Sequence, residues 1–263
     1  MTNSGDARGV LRPVLAADRF ELIRREPAAQ FGEQVEFYWI VRWDLRGRPA
    51  HTQQVLAHPN VHLVFEEPGP FVYGVQREVF ERTLTGAGQV FGVKFRPGAF
   101  RPLLGSAVSD LADRRVPATD VFGEAVAEAQ PAVLGAADPA GMQRAAEEFL
   151  RSVMPSPDPT AREVGDLVDR ITAAPTLFRV DQLAAEAGLS VRGVQRLFAE
   201  YVGASPKWVL RRARLHEAAA RAEHDAQIDW AALADELGYS DQAHLTRDFT
   251  ATVGEPPGRY TRT

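Results

Sequence analysis

The chain has 263 residues, 45% of them apolar and 25% charged, a globular composition long enough for two ordinary domains. It contains no cysteine, which excludes disulfides, thiolate catalysis and cysteine-based zinc sites. The net charge is −5, with 17 Lys and Arg against 20 Asp and Glu in residues 1–159 and 13 against 15 in residues 160–263, so any affinity for nucleic acid must come from where the charges sit.

The N-terminal stretch MTNSGDARGVLRPVLAADRF lacks the unbroken apolar core of a secretory signal. No run approaches the roughly 18 apolar residues of a membrane helix. A cytoplasmic protein with no membrane partner is the simplest expectation. Four stretches then read as strands: EFYWIVRWDL (36–45), VHLVFE (61–66), PFVYGV (70–75) and QVFGVKFRPGAF (89–100). They are rich in β-branched and aromatic residues and punctuated by Gly and Pro. From about Val121 the pattern turns helical, and Met142, Ala145, Ala146, Phe149, Leu150 and Val153 recur at helical spacing. That stripe fits a helix packed on its own sheet or the seam of a homodimer equally well.

Prolines 155, 157 and 159 alternate through MPSPDPTAREV, which favours an extended spacer. The expected division is a β-rich domain over residues 1–153, a linker over 154–160 and an all-helical domain over 161–263. In the last part Val164, Leu167, Val168 and Ile171 form one apolar stripe, with Pro175 just beyond it. Short helices are expected near 180–187, 191–202, 206–223, 230–237 and 242–252.

This C-terminal part contains a repeat. LAAEAGLSVRGVQRLFAEYVGASP begins at Leu183 and LADELGYSDQAHLTRDFTATVGEPP at Leu233. The offset is 50 residues at Gly188 and Gly238, and 51 at Arg196 and Arg247. Each unit reads as helix, glycine turn, helix. The glycine tolerates the left-handed cap conformation, and Ser190 and Asp241 are placed to cap the second helix. Ala184 and Ala234 are small where the helices must cross, and Phe198 and Phe249 are matching aromatic anchors. The second helix of such a unit is the one that can enter a major groove. Its polar side carries Arg192, Gln195 and Arg196 in the first unit, and Gln242, Ala243 or His244, Thr246 and Arg247 in the second; most of these side chains can donate to base edges or phosphates. Between the units, SPKWVLRRARLHEAAARAE begins with Ser205 and Pro206, a good helix start. A helix from Pro206 to Glu223 would span about 27 Å, close to the roughly 34 Å of one B-DNA turn. Arg211 and Arg212 on this rod are candidate phosphate contacts, whereas Arg214 sits among apolar positions and suits structural pairing.

Residues 160–263 resemble the AraC/XylS family of bacterial transcription regulators. The resemblance rests on the repeat and on two patterns: Ser205, Pro206, Val209, Leu210, Arg214, Leu215 and Ala218, then Gly254, Pro256, Pro257 and Tyr260. Val209 replaces the family's usual Tyr, and Gly193 inside the first recognition helix costs roughly 1 kcal/mol relative to Ala. The resemblance implies a sequence-specific, non-enzymatic DNA-binding regulator that places two recognition helices in successive major grooves of double-stranded DNA, needs no cofactor and, as an activator, would contact RNA polymerase. It implies base reading by Arg192, Gln195 and Arg196, and by Gln242, His244, Thr246 and Arg247. YWIVRWDL, HPNVHLVFE and FGVKFRPGAF are similar to a small β-rich N-terminal domain found in some members, which implies a sensor or dimerisation role. The fold class that follows is multidomain α+β, with a barrel-like β domain and trailing helices followed by the two units and their linker helix.

The β-rich part carries two further readings. His58, His62 and Glu66 would share one face of an extended strand and could hold a metal, making the chain a metal-dependent enzyme with a regulatory helical appendage. Ordinary hydrogen-bonded histidines are the preferred reading, because Pro59 interrupts the strand. Lys94 and Arg96 alternate with Val93 and Phe95, so both cations could line a pocket for an anionic effector. A solvated strand face is the competing reading for that pair.

Overall fold

A computed structural model describes residues 9–12, 18–174, 177–224 and 227–260. Pro175, read as lying beyond the first C-terminal stripe, falls outside the described residues. The N-terminal half holds eight strands among the described residues: β1 Glu21–Arg25, β2 Val35–Asp44, β3 His51–Val55, β4 His62–Phe65, β5 Phe71–Tyr73, β6 Phe80–Leu84, β7 Ala87–Phe95 and β8 Arg115–Pro117. Six of them form one antiparallel sheet in the order β1-β2-β7-β4-β5-β8, and β3 pairs with β6 in a separate two-stranded sheet. The architecture is barrel-like but not a closed barrel. Four strands coincide with the apolar runs of the sequence. β1, β3, β6 and β8 are short and mostly polar, half-buried strands without that signature.

Side-chain alternation gives the large sheet two different faces. Tyr38, Ile40, Phe91, Val93 and Phe95 point to a dry core. Four helices contribute to that side: α1 Arg101–Leu104, α2 Thr119–Phe122, α3 Ala125–Leu134 and α4 Pro139–Val153. The stripe of α4 is spent there, with Met142, Ala146, Phe149 and Leu150 all buried against the chain's own sheet. The other face, bearing Trp39, Val41, Trp43 and Lys94, opens on a cavity beneath β3 and β6.

Residues 154–158 are non-helical, and Gln34 donates to the Pro155 carbonyl at 3.2 Å. Pro159 does not extend this spacer. It occupies the first turn of α5 Pro159–Ala173, where its missing N–H costs nothing, and the Asp158 carboxylate caps that turn by accepting from Thr160 N at 2.8 Å.

The remaining helices are α6 Val180–Glu186, α7 Val191–Leu197, α8 Pro206–His224, α9 Trp230–Glu236, α10 Gln242–Val253 and α11 Pro257–Tyr260. They build two cores. One joins α5, α6 and α7 to Phe198, Val202 and the start of α8; the other joins the end of α8 to α9, α10 and Tyr260. Neither core is purely C-terminal. Val75 enters the first, and Leu11 and Leu56 enter the second. Among the described residues no helix is long and apolar enough to cross a membrane.

Candidate nucleic-acid interface

Each repeat folds into a helical hairpin with the same local devices. Gly188 and Gly238 close the first helices at φ +66° and +68°. Ser190 Oγ accepts from Gly193 N at 3.0 Å, and Asp241 Oδ1 accepts from His244 N at 2.7 Å, which caps α7 and α10. Ala184 and Ala234 are buried at the crossings, and Phe198 and Phe249 are fully buried anchors. Phe178 ties the two hairpins together, because its ring lies where a Cβ on Gly238 would come within 2.6 Å. The expected single helix over 191–202 instead changes pitch. α7 stops at Leu197, and Phe198–Val202 continues as a wider π-type turn before Gly203.

The polar ridges face solvent. Arg192, Gln195 and Arg196 are exposed on α7, as are Gln242 and Arg247 on α10. Among the described residues, Arg192, Gln195, Arg196 and Gln242 engage no other side chain in a hydrogen bond or ion pair. Thr246 and His244 are half-buried. His244 is held in place by Ser240, at 3.2 Å from its Nδ1, and by the edge of Tyr239, 5.1 Å between ring centroids.

The two linker-helix cations expected to meet phosphates both engage partners within the protein, Arg212 buried and Arg211 at the surface. Arg212 is only 3% exposed; it donates to the Arg77 carbonyl and stacks 4.7 Å from the Trp208 ring. Burial, reinforced by neighbouring Arg211, pushes its pKa down to about 10. Arg211 makes a two-pronged ion pair with Asp248 of α10, with both contacts at 2.9 Å. Periodicity places a residue on a helix face but does not say what meets that face, and here the N-terminal half covers Arg212 while α10 supplies the carboxylate beside Arg211. Arg214 follows the structural expectation: its guanidinium lies 4.6 Å from the Tyr239 ring, and it donates to the Leu237 carbonyl at 3.5 Å.

Trp208, Arg212 and His216 lie four apart on α8 and together face the N-terminal half. Trp208 Nε1 donates to the Arg77 carbonyl at 3.4 Å, and the His216 ring stacks on His58 at 3.9 Å. The sequence reading missed this seam. Its signal was the four-residue spacing of Trp208, Arg212 and His216, which puts three large side chains on one helix face.

The N-terminal candidates separate. His58 sits in a turn, since Asn60 N donates to the His58 carbonyl at 2.8 Å, so it does not share a strand with His62. His62 Nδ1 accepts from Trp39 Nε1 at 3.1 Å. Burial, then Lys94 and Arg24, push its pKa down to about 3, which keeps it neutral. Glu66 is buried, accepts from Tyr73 Oη at 2.5 Å and pairs with Arg82 at 2.7 Å. Among the described residues no group of three such side chains converges as metal ligands. The metal-enzyme reading therefore loses its site.

Lys94 does face the cavity, but its Nζ is tied to Glu36 at 2.8 Å. Burial lowers its pKa, and Glu36 opposes the shift. Arg96 does not join it. β7 ends at Phe95, and Arg96 turns away to donate to the Gly32 carbonyl at 2.7 Å.

Residues 23–117 match a family described as a domain of unknown function, DUF6597, and residues 183–263 match a family described as a helix-turn-helix domain. Among solved structures, an apo form of ToxT from Vibrio cholerae is similar at 10% identity, with a TM-score of 0.42 over 90% of this chain and 99% of that one. ToxT bound to an unsaturated fatty acid gives 0.39 at 8% identity, over 93% and 91% of the two chains. The AraC-like transcriptional activator CuxR gives 0.23 at 12% identity, over 82% and 89%. Both hairpins lie inside the matched region, so residues 183–263 are a helix-turn-helix domain of the AraC type.

Proposed function

We propose that α7 and α10 enter successive major grooves of one duplex and read base edges there. Arg192, Gln195 and Arg196 act from α7, and Gln242, His244, Thr246 and Arg247 from α10. The observation that carries this reading is the contrast among the cations. Arg212 and Arg214 are engaged inside the fold and Arg211 is paired with Asp248, while Arg192 and Arg196 stand exposed and, among the described residues, unpaired on the ridge of a capped helix. At about 28 Å for its 19 residues, α8 has the length to set two recognition helices near one helical turn apart.

The same reading gives the N-terminal half, residues 1–153, the role of a sensor. Its cavity, of about 350 Å³, falls in the range of small-molecule sites. Val168, Asp169 and Thr172 of α5 form part of the cavity wall, and Val168 also belongs to the core of the first hairpin. An occupant would thus touch the DNA-binding half directly.

The test is a binding series on a duplex selected by genome-wide mapping in the native host. Arg196→Ala and Arg247→Ala should each weaken that duplex by roughly 1–3 kcal/mol while leaving a scrambled duplex almost unchanged. Equal losses on both duplexes would reduce these side chains to phosphate contacts and end the base-reading assignment.

A further inference from the structure

The cavity walls define a ligand chemistry more narrowly than the sensor role does. On β2, Trp39 and Trp43 point into the cavity, and their register partners on β7 are Gly92 and Gly88. A Cβ on Gly92 would fall 1.9 Å from the Trp39 ring, and one on Gly88 would fall 2.5 Å from the Trp43 ring. The two indoles therefore lie flat across bare backbone, with no side chain beneath them to tilt them. Their N–H groups are already used, Trp39 on His62 Nδ1 at 3.1 Å and Trp43 on the Thr85 carbonyl at 3.0 Å. What remains for an occupant is aromatic face, opposed by Val55, Phe80 and Leu84 of the small sheet.

The charged lining carries three cations against three carboxylates. Its cations are Arg24, Arg82 and Lys94, and its carboxylates are Glu36, Glu66 and Asp169. Lys94 is bound to Glu36, Glu66 to Arg82 and Tyr73, and Arg24 stacks 4.5 Å from the Phe37 ring. The Asp169 carboxyl is raised by burial, against the pull of Arg96 and Lys94. His62 is held neutral. An anionic occupant would have to compete with Glu36 for Lys94, and a cationic one would draw Glu36 away and leave the buried Lys94 ammonium without its partner. A polyol would need several open donors and acceptors, yet both tryptophan N–H groups and the Tyr73 hydroxyl are engaged.

We infer that this cavity binds an uncharged, flat aromatic molecule of one or two rings, laid against Trp39 and Trp43. The volume of about 350 Å³ accommodates a molecule of that size. The inference deepens the sensor reading and rests on it only for the consequence at DNA. The Trp-x-x-x-Trp of β2 and the Gly-x-x-x-Gly of β7 carry the same spacing in the sequence, and only strand pairing shows that one lies upon the other.

The test titrates the full chain with indole, indole-3-carboxylate and tryptamine, using saturation-transfer NMR and calorimetry. Indole should bind at least ~10-fold more tightly than either charged relative, as the burial cost of an uncompensated charge requires. A carboxylate or ammonium that binds as tightly as indole, or a chain that binds none of the three, overturns the inference. Val55→Trp fills the space opposite the indoles and should abolish indole binding; retained binding would place the site elsewhere and overturn it too. Glu36→Gln removes the carboxylate partner of Lys94 and should narrow the gap between indole and its carboxylate, and an unchanged gap denies that charge balance sets the selectivity. The wild-type titration decides the matter even where that variant fails to fold. Affinity for the mapped duplex, measured with and without ligand, separates the two readings. Indole that binds without changing DNA affinity keeps the ligand class and removes the sensor role. A bound carboxylate that changes DNA affinity does the opposite.

Discussion

α7 lasts seven residues before it widens into a π-type turn, whereas its counterpart α10 runs twelve without interruption. Their attachments differ as well. The first hairpin meets the N-terminal half through close backbone approach, since a Cβ on Gly203 would lie 2.9 Å from the Val108 carbonyl, and through the Arg101–Glu200 ion pair at 2.5 Å. The second rests on apolar side chains, Leu11, Leu56 and Val79, with Arg12 paired to Glu255 at the margin. Directional contacts fix the position of a helix, while an apolar face permits small sliding. One local blueprint has thus been used for a clamped hairpin and for one seated on a smoother surface.

The largest test of that comparison is in the anchors. Phe198→Ala and Phe249→Ala each delete a fully buried ring and should cost about 3–5 kcal/mol by denaturant unfolding followed by circular dichroism. Similar losses would confirm that the blueprints match at their cores. A loss below about 1 kcal/mol at either would mean that hairpin is not part of the cooperative unit.

A smaller effect separates the turns. Gly188 has open space around its Cβ position, so Gly188→Ala should cost only the left-handed backbone strain, about 1–2 kcal/mol. Gly238→Ala adds a collision with the Phe178 ring at 2.6 Å and should cost more. Equal melting temperatures for the two variants would show that Phe178 does not bind the hairpins together.

The smallest effect is in acid. Asp241 caps α10, and its pKa is held below the ordinary carboxylate value chiefly by the His244 N–H. Because the folded value is depressed, the stabilisation is complete above the unfolded carboxylate pKa and is lost as pH falls through the folded one. Ser190, the matching cap on α7, does not titrate. The His244 amide resonance should therefore move in acid while the Gly193 amide stays put, and parallel movement of both would remove the distinction.

Much of the C-terminal half was legible because its determinants are local. Gly188 and Gly238, Ser190 and Asp241, and Phe198 and Phe249 act within a few residues of themselves, so a repeat in sequence becomes a repeat in structure. The ridges of α7 and α10 follow from the same periodicity. The burial of Arg212 and the pairing of Arg211 were not legible, because the same periodicity says nothing about the Arg77 carbonyl or Asp248, which reach them from 135 and 37 residues away. Lys94 was placed on the correct strand face, but its partner Glu36 lies 58 residues off in sequence. Arg96, one step past the strand end, lost the alternation that had joined it to Lys94.

Strand identity was readable where long runs of apolar and aromatic residues occupy both faces, as in β2 and β7, and unreadable in short, mostly polar strands such as β3 and β6. Those two strands roof the cavity, so its existence could not be read from the sequence. By itself the sequence determined the two capped hairpins, their polar ridges and the helix between them, because capping, turn formation and amphipathicity are decided over a few residues. Tertiary structure alone decided which cations remain free and where the cavity lies. It also decided which glycines sit beneath which tryptophans, because ion pairing, enclosure and strand register join residues that the chain keeps far apart.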